Sequence, residues 1–304
     1  MKIVVAGGTG LIGTALLKRV AGKNDVVLLT RRPEEAYKHF EGAGFQILSW
    51  SQPEEQLFAA LQNSDALINL SGAGIADAPW TAKRKAVLLK SRVEPIQKLS
   101  ALLQHADLHF SVIMQASAVG FYGHHAKQIF TESDAAGKGY LADLTAEWEK
   151  AAQELRPFAD RLVLFRTGVV LSADGGALKP MMLPFRFFAG GKIGSGRQWV
   201  SWIDIEDQIG AMLFLLANKT SEGVYNLTAP QPVRQSELAK AIGARMKSPA
   251  WLPVPGVALR LVMGQMADEM LLKGALVKPD KLLQAGYQFQ SADIETALKH
   301  VIGS

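Results

Sequence analysis

Three glycines near the start of the chain have the spacing of a phosphate-binding turn. Gly7, Gly10 and Gly13 lie between a four-residue apolar run, residues 3–6, and a segment whose apolar residues recur at helical spacing. Because glycine has no side chain, one of the three can take a backbone angle closed to other residues, one lets a pyrophosphate approach, and one lets the helix pack against the strand. The N–H groups and the positive dipole end of that helix would then hold the phosphate charge. The spacing predicts dinucleotide binding, with a bare structural turn as the alternative.

A hydroxyl and two guanidinium groups end the second predicted strand, residues 26–30, and follow it. The chain reads Thr30, Arg31 and Arg32 where an NAD site usually places Asp or Glu for the adenosine ribose diol. Arginine binds phosphate in a bidentate fork, so this pair favours a 2′-phosphate, and NADP over NAD. The alternative is a solvated pair of surface arginines.

Three hydroxyl side chains are the candidates for acid/base work near the cofactor. Ser117 and Tyr122 leave the carboxyl end of the fifth predicted strand, where a doubly wound sheet presents side chains to its ligand, so we expect both to face the crevice. The alternative for Tyr122 is an aromatic ring packed at the floor of the cleft. Tyr140 opens a predicted helix, but Leu144 stands four residues on, and no cation is evident that would lower the pKa of the phenol. Tyr140 is then a poor base at neutral pH, and we expect Ser117 or Tyr122 to matter more for catalysis.

Two further pairs of polar residues have structural explanations. His124 and His125 are adjacent, which does not orient two imidazoles at one metal ion, so we expect a solvated loop and predict no metal site. Asp204 and Asp207 are expected as hinge or capping carboxylates where the chain returns to the main sheet.

The predicted elements place these residues at one edge of a sheet. The six predicted strands, the fourth with its end of small residues and the fifth with its exit loop, cover residues 3–6, 26–30, 45–50, 65–74, 111–123 and 161–171. The predicted helices among them cover residues 12–20, 54–61, 81–103 and 140–155, the third with Thr81 as N-cap and Pro95 inside it. Alternation of strands with helices predicts an α/β fold, a Rossmann-type doubly wound parallel sheet.

The chain changes character after Leu171. Glycines and prolines there predict loops around an aromatic patch of Phe185, Phe187 and Phe188. A helix over 205–217 and a strand over 223–228 are expected to rejoin the main sheet. Further helices are predicted over residues 235–246, 256–272 and 291–302.

These patterns divide the chain into two predicted domains. The first is an NADP-binding domain, residues 1–171, to which residues 200–230 return. The second is a smaller substrate-side domain, residues 172–199 and 231–304.

The composition limits the classes of partner. A net charge of +5 and a pI near 9.3 raise the question of nucleic acid, yet basic residues cluster only briefly, at 31–32 and 83–85, so no nucleic-acid partner is expected. The 304 residues include no cysteine, which excludes disulfides and a thiolate nucleophile and agrees with a reducing compartment. No run of about 18 apolar residues is present, so we expect no membrane span and a cytoplasmic protein, with oligomerisation left open.

Several motifs resemble those of one known family. They are residues 7–13 (GGTGLIG), 69–72 (NLSG), 166–171 (RTGVVL), 184–186 (PFR), 194–198 (GSGRQ) and 203–207 (IDIED). With them the whole chain resembles an extended short-chain dehydrogenase/reductase, and more closely the atypical epimerase family of nucleotide-sugar-epimerase-like proteins. The turn, the basic pair and this resemblance together imply NADP bound by Gly7, Thr9, Gly10, Leu11, Ile12, Gly13, Thr30, Arg31, Arg32, Leu70, Ser71, Gly72, Arg92 and the backbone around Val170.

The catalytic pattern departs from that of the wider superfamily. Those enzymes use a Tyr-x-x-x-Lys pair, in which the lysine lowers the pKa of the tyrosine, and here Leu144 stands in the lysine's place. Ala118 occupies the position, four residues before Tyr122, where extended enzymes usually carry the hydroxyl. The resemblance implies an NADP-dependent oxidoreductase or epimerase-like enzyme acting on a small polar, sugar-like or carbonyl-bearing molecule. The missing lysine keeps open a second hypothesis, an NADP-binding sensor or regulatory protein without efficient catalysis.

Overall fold

A parallel sheet of seven strands forms the centre of the computed structural model, which describes residues 1–303. The strands, in chain order, are β1 (Lys2–Ala6), β2 (Asp25–Thr30), β3 (Gln46–Ser49), β4 (Ala66–Asn69), β5 (Phe110–Ala118), β6 (Ile129–Phe130), β7 (Ala159–Thr167), β8 (Val169–Leu171), β9 (Trp199–Val200), β10 (Trp202–Asp204), β11 (Gly223–Leu227), β12 (Val233–Arg234) and β13 (Leu276–Val277). The main sheet has the order β3-β2-β1-β4-β5-β7-β11, and every pairing in it is parallel. The predicted doubly wound parallel sheet is therefore confirmed, as is the return of residues 223–228 to it.

Helices cover both faces of this sheet, and further helices lie outside it. In chain order the helices are α1 (Leu11–Val20), α2 (Pro33–His39), α3 (Glu54–Leu61), α4 (Ala82–His105), α5 (Tyr140–Ala152), α6 (Leu178–Arg186), α7 (Ile205–Ala217), α8 (Gln235–Arg245), α9 (Gly256–Met263), α10 (Gln265–Ala267), α11 (Asp280–Gln284) and α12 (Ile294–Ile302). Because successive side chains of a strand point to opposite faces, Ile3 of β1 joins one core, with α1 and α7, and Val4 joins the other, with α3, α4 and α5. Burial of β1 on both faces explains its continuous apolar run.

The sixth predicted strand, residues 161–171, is two strands. β7 ends at Thr167, and β8 leaves the main sheet to pair in parallel with β10. Gly168 lies at the break, where a Cβ atom would come within 2.4 Å of the Ser201 carbonyl oxygen. This close backbone approach turns the chain away from the sheet, which the apolar pattern alone does not reveal.

The segment after Leu171 contains more helix than predicted. Instead of loops alone, it includes α6, whose Phe185 is buried in a third core with α8 and α12. Residues 256–272 are not one helix but α9, α10 and a π-helical turn over 268–272, because Gly264 interrupts them with a φ of +57°. The division of the chain into two domains stays a prediction.

Two smaller features complete the fold. Thr81 caps α4 as predicted, its side chain accepting a hydrogen bond from the Arg84 N–H, and α4 continues through Pro95. α2 was not predicted, although Pro33 at its first position and two glutamates in its first turn are typical of a helix start. Within residues 1–303, no helix is both long and apolar enough to cross a membrane.

Candidate functional site

A cleft of about 650 Å³ lies at the carboxyl ends of β1, β2 and β4. In an open α/β sheet this is the edge at which ligands bind. The residues predicted for the cofactor that line it are Gly7, Thr9, Gly10, Thr30, Arg31, Arg32, Leu70, Ser71 and Gly72. Strand order thus brings three separate stretches of the chain to one cavity.

The three glycines of the turn meet three different steric demands. Gly7 has a φ of +77°, and a Cβ atom there would lie 2.7 Å from the backbone nitrogen of Ser71. A Cβ atom at Gly13 would lie 2.6 Å from the backbone of Gly8, so the first turn of α1 packs closely against the turn before it. A Cβ atom at Gly10 would meet no atom within 4 Å. Gly7 and Gly13 are therefore required by the fold, whereas Gly10 faces open space.

The first turn of α1 is available to an anion. Gly10 is its N-cap and no side chain caps its N–H groups, nor does the first turn contain an acidic residue. Uncapped N–H groups and the positive end of the helix dipole favour negative charge at this point. Leu11 and Ile12 begin this helix, and Ile12 packs against the core.

The polar side chains at the end of β2 differ in whether they already have a hydrogen-bond or ion-pair partner. Thr30 is buried, and its hydroxyl oxygen accepts a hydrogen bond from the Arg32 N–H at 3.2 Å. Arg32 forms an ion pair with Glu35 at 3.0 Å. Arg31 is exposed and joins none of the ion pairs found in residues 1–303. Of the two predicted cations, Arg31 is thus the one free to meet a ligand.

The loop after β4 is fixed by buried hydrogen bonds. The Asn69 side chain accepts from the Ser71 N–H at 3.1 Å and donates to the Gln115 side-chain oxygen at 2.8 Å. Arg92 of α4 donates to the carbonyl of Ala73 at 3.2 Å and packs over the Trp148 ring at 5.0 Å. These contacts hold the backbone of residues 70–73 along the wall of the cleft.

Arg92 contacts this loop and does not itself line the cleft. Burial lowers the pKa of its guanidinium group to about 10, against an opposing effect of Tyr140. Arg92 therefore remains charged at neutral pH. Val170, also predicted for the cofactor, lies in β8 and packs against the core beneath the turn.

A buried network of polar side chains lies at the ends of β5, β7 and β11. The Ser117 hydroxyl donates to Glu149 at 2.5 Å, and Arg166 donates to both oxygens of the same carboxylate at 2.8 Å. Arg166 also donates to the Tyr122 oxygen at 2.8 Å, and the Tyr122 hydroxyl donates to Asn226 at 2.7 Å. These bonds link all five side chains, and the Asn226 amide N–H also donates to the Lys278 carbonyl at 2.9 Å.

The expectation that Ser117 and Tyr122 face the crevice is wrong. Strand alternation turns Ser117 toward α5, where Glu149 lies, and leaves it 3% exposed. The chain after β5 forms a short 3₁₀ turn that stacks the Tyr122 ring on Phe130 and leaves it 1% exposed. Burial raises the pKa of Tyr122 to about 12, although Arg166 opposes this. Both hydroxyls donate to buried side chains of the protein, Glu149 and Asn226, and not toward the cleft.

Tyr140 opens α5 as predicted, and cations are close to it. The Lys85 ammonium group lies 4.6 Å from the centre of the Tyr140 ring, and Trp80 packs edge-on against the same ring. Burial raises the pKa of Tyr140, and the positive charges of Arg92 and Arg84 oppose that rise. The expectation that no cation stands near Tyr140 is therefore wrong, because α4 brings these residues from a distant part of the sequence.

The C-terminal part of the chain closes over the start of α5. Glu269 accepts hydrogen bonds from the N–H groups of Tyr140 at 2.9 Å and Leu141 at 2.8 Å. Gln265 donates to Glu269, and Lys85 donates to Gln265 at 2.6 Å. Glu269 thus takes the capping role that Gly139 lacks a side chain to fill.

The remaining polar pairs are structural. His125 is exposed as expected, but His124 is partly buried, its Nε2 atom has no partner among residues 1–303, and burial lowers its pKa. No three His, Asp or Glu side chains in that range converge on a metal position. Asp204 caps α7 by accepting from the Glu206 N–H at 2.7 Å, and Asp207 accepts from the Ser291 N–H at 2.8 Å. The capping expectation for Asp204 is confirmed.

Sequence reasoning missed four residues that the structure brings to this edge. Trp50 follows β3 and lines the cleft near Thr30, and its position at the carboxyl end of the predicted strand 45–50 was the available signal. Glu149 and Arg166 pair across 17 residues and Glu269 binds the Tyr140 N–H across 129 residues, so nothing in their local sequence indicates these partners.

The parallel sheet, the glycine turn and the open cleft define a Rossmann-fold protein. The model of the NAD dependent epimerase/dehydratase family matches residues 3–154, and that of a domain of unknown function, DUF1731, matches residues 254–301. The chain is 39% identical to an epimerase family protein of Mycobacterium bovis, over 97% of this chain and 96% of that one. It is 35% identical to the chloroplastic epimerase family protein SDR39U1 homolog of Arabidopsis thaliana, over 99% and 87%. The chain belongs to the epimerase family, as the motifs implied.

Solved structures agree with this assignment. The human epimerase family protein SDR39U1 (isoform 2), solved with NADPH, matches with a TM-score of 0.87 and 32% identity over 99% of each chain. A UDP-glucuronic acid 4-epimerase from Bacillus cereus, in complex with UDP-glucuronic acid and NAD, has a TM-score of 0.78 at 14% identity over 99% of this chain and 98% of that one. At that identity the second match shows a shared fold alone.

Proposed function

We propose that the chain binds NADP(H) and acts as an oxidoreductase or epimerase-like enzyme on a small polar, carbonyl-bearing substrate. The observation that carries the proposal is the open space at Gly10, directly before the uncapped first turn of α1. The similarity to a human protein solved with NADPH supports the choice of cofactor.

NADP fits the residues of the cleft. The backbone at Gly10 leaves room for a pyrophosphate, whose charge the N–H groups of α1 would offset. Arg31 is the cation free to bind the 2′-phosphate at the end of β2. When bound, the reduced cofactor supplies a hydride, and the protein supplies position and a proton.

Tyr140 is the hydroxyl that best fits the proton-donating role. Its hydroxyl is held only by a long hydrogen bond of 3.4 Å to the Lys85 carbonyl, whereas those of Ser117 and Tyr122 are buried in the network. Because burial raises its pKa, Tyr140 carries its proton at neutral pH. It therefore suits donation to a substrate oxygen during reduction more than proton abstraction.

A second candidate function is an NADP-binding sensor. The observation that favours it is that Ser117 and Tyr122 are buried and donate their hydroxyl protons to Glu149 and Asn226. Such a protein would keep the cleft and lack efficient turnover. The lack of cysteine supports a reducing compartment such as the cytoplasm for either function.

The test combines binding with turnover. NADPH and NADH are titrated by nicotinamide fluorescence, and carbonyl compounds and nucleotide sugars are screened for loss of NADPH absorbance. We expect tight NADPH binding and a substrate whose turnover falls about 100-fold in Tyr140→Phe with unchanged NADPH affinity. Tyr37→Phe is the matched control, since Tyr37 is an exposed tyrosine outside the cleft.

Each outcome separates the candidates. No NADPH binding rejects both. Binding without turnover of any substrate favours the sensor, and full turnover in Tyr140→Phe removes Tyr140 from the reaction.

A further inference from the structure

Eight large apolar side chains are exposed on two neighbouring segments of the C-terminal part of the chain. We call them the apolar face: Leu183, Phe187, Phe188, Trp251, Leu252, Val257, Leu261 and Val262. Phe187 is 73% exposed, Leu261 83% and Val262 81%, and α9 contributes no buried residue to any core. An exposed apolar patch of this kind marks a surface that meets another phase or molecule.

The two segments lie side by side. The Trp251 indole donates to the Phe188 carbonyl at 3.0 Å, and the Leu252 N–H donates to the Gly190 carbonyl at 3.0 Å. The Val254 N–H donates to the Lys192 carbonyl at 2.8 Å. α9 then starts at Gly256 and extends the face to Leu261 and Val262.

The same segments are strongly basic. Residues 183–192 and 247–262, which carry the apolar face, contain no Asp or Glu and four Lys or Arg residues, namely Arg186, Lys192, Lys247 and Arg260. Every charged side chain within these two segments is therefore a cation.

Several of these cations are free. Arg186, Lys192 and Lys247 are exposed and join none of the ion pairs seen between residues 1 and 303, whereas Arg260 is paired with Asp268 at 3.0 Å. The occupant of the face must therefore carry negative charge as well as apolar groups.

Charge argues against a second copy of this chain as that occupant. A two-fold interface places the same patch against itself, so these cations would oppose one another. Nucleic acid would use the cations and stack on the aromatic rings, but it would leave Leu261, Val262 and Val257 without partners.

We propose that the apolar face docks on an anionic phospholipid surface. Phe, Trp and Leu side chains enter the boundary between headgroups and acyl chains, while Lys and Arg attract the anionic headgroups. This is peripheral contact and needs no membrane-spanning helix. It is independent of the cofactor cleft, which lies at the carboxyl ends of β1, β2 and β4.

Vesicle sedimentation tests the proposal. The full chain is mixed with vesicles of phosphatidylcholine alone or with about one third phosphatidylglycerol. We expect binding to the anionic vesicles, little to the neutral ones, and weaker binding when salt rises from about 0.1 M to about 0.5 M. Leu261→Asp should lower the partition coefficient by about tenfold or more, because it places a charge where an apolar group enters the interface.

Leu283→Asp is the matched control, since Leu283 is an exposed leucine of α11 outside the face. A double variant, Arg186→Glu with Lys247→Glu, tests the cations and replaces Leu261→Asp should that variant unfold on heating earlier than the parent. No binding to anionic vesicles, or equal binding by parent and variants, overturns the proposal. So does light scattering that finds a dimer of the parent, without lipid, which Leu261→Asp dissociates.

Discussion

At the ends of β1, β2 and β4, backbone N–H groups and the Arg31 side chain remain free, and a glycine keeps the space before α1 open. At the ends of β5, β7 and β11, by contrast, Ser117, Tyr122 and their partners are closed into a buried network. The two halves belong to the same edge of one sheet. The ends of β1, β2 and β4 have free groups that can bind a nucleotide. At the ends of β5, β7 and β11, the hydroxyls expected at the crevice are bonded within the buried network.

The two groups of residues differ in their access to solvent. An ion pair such as that of Arg166 with Glu149, whose side chains are 4% and 11% exposed, survives burial because each remaining polar atom finds a partner. A cleft that binds phosphate must keep its donors unpaired and wet until the ligand arrives. Tyr140, the proposed proton donor, packs instead against Trp80 and Lys85, and its hydroxyl takes no part in the buried network.

Breaking the buried network at the ends of β5, β7 and β11 should have the largest effect on stability. Glu149→Ala leaves the Arg166 guanidinium buried without its counter-ion, so we expect the free energy of unfolding to fall by about 3–5 kcal/mol. Urea denaturation measures this. The matched control is Glu222→Ala, which breaks the half-exposed pair with Arg156 and should cost less than about 1 kcal/mol. Equal costs would mean that burial of the network is not what makes it stabilising.

Gly10→Val should remove nucleotide binding while sparing the fold. The side chain enters open space, so stability should change by less than about 1 kcal/mol, but NADPH affinity should fall at least about 100-fold, roughly 2.7 kcal/mol. Gly13→Val is the contrast, since its side chain would collide with Gly8 and should lower the melting temperature. Tight NADPH binding by a folded Gly10→Val variant would place the pyrophosphate elsewhere.

Alkaline pH should lower the stability of the folded protein through the buried phenol of Tyr122. Its pKa is raised to about 12, so the folded protein holds the phenol proton more tightly than the unfolded chain, whose tyrosines titrate near 10. The resulting stability is complete below about pH 10 and is lost as the pH rises toward 12, by about 2 kcal/mol. Tyr122→Phe should therefore lose less stability than the parent between pH 9 and pH 11 in urea unfolding. Parallel losses in the two proteins would contradict this.

The smallest expected effect is on cofactor affinity, and it distinguishes Arg31 from Arg32 at the end of β2. Arg31→Ala should weaken NADPH by about tenfold, roughly 1.4 kcal/mol, and leave NADH unchanged, because the exposed contact to the 2′-phosphate is partly screened by solvent. Arg32→Ala should change neither, since Arg32 is paired with Glu35. Fluorescence titration with both cofactors compares them, and the reverse ranking would assign the 2′-phosphate to Arg32.

The sequence alone determined the sheet, the turn and the family. Those features are local, because a short apolar run, a glycine cluster and short motifs each depend on residues a few positions apart. It also located Tyr140 at the start of a helix and Thr81 at the start of another. It failed where one residue alters a local pattern, as at Gly168 and Gly264, because the apolar periodicity continues across both.

Only the tertiary structure decided what the polar residues do. Ser117 meets Glu149, and Tyr140 meets Lys85 from 55 residues away, so no spacing rule connects them. Whether a hydroxyl faces a cleft or a buried carboxylate depends on which side of β5 each helix packs against, and that is fixed by the packing of the whole core. The pairing of Arg32 with Glu35 is the exception, because these residues lie three positions apart at the start of α2 and their spacing already allows the ion pair.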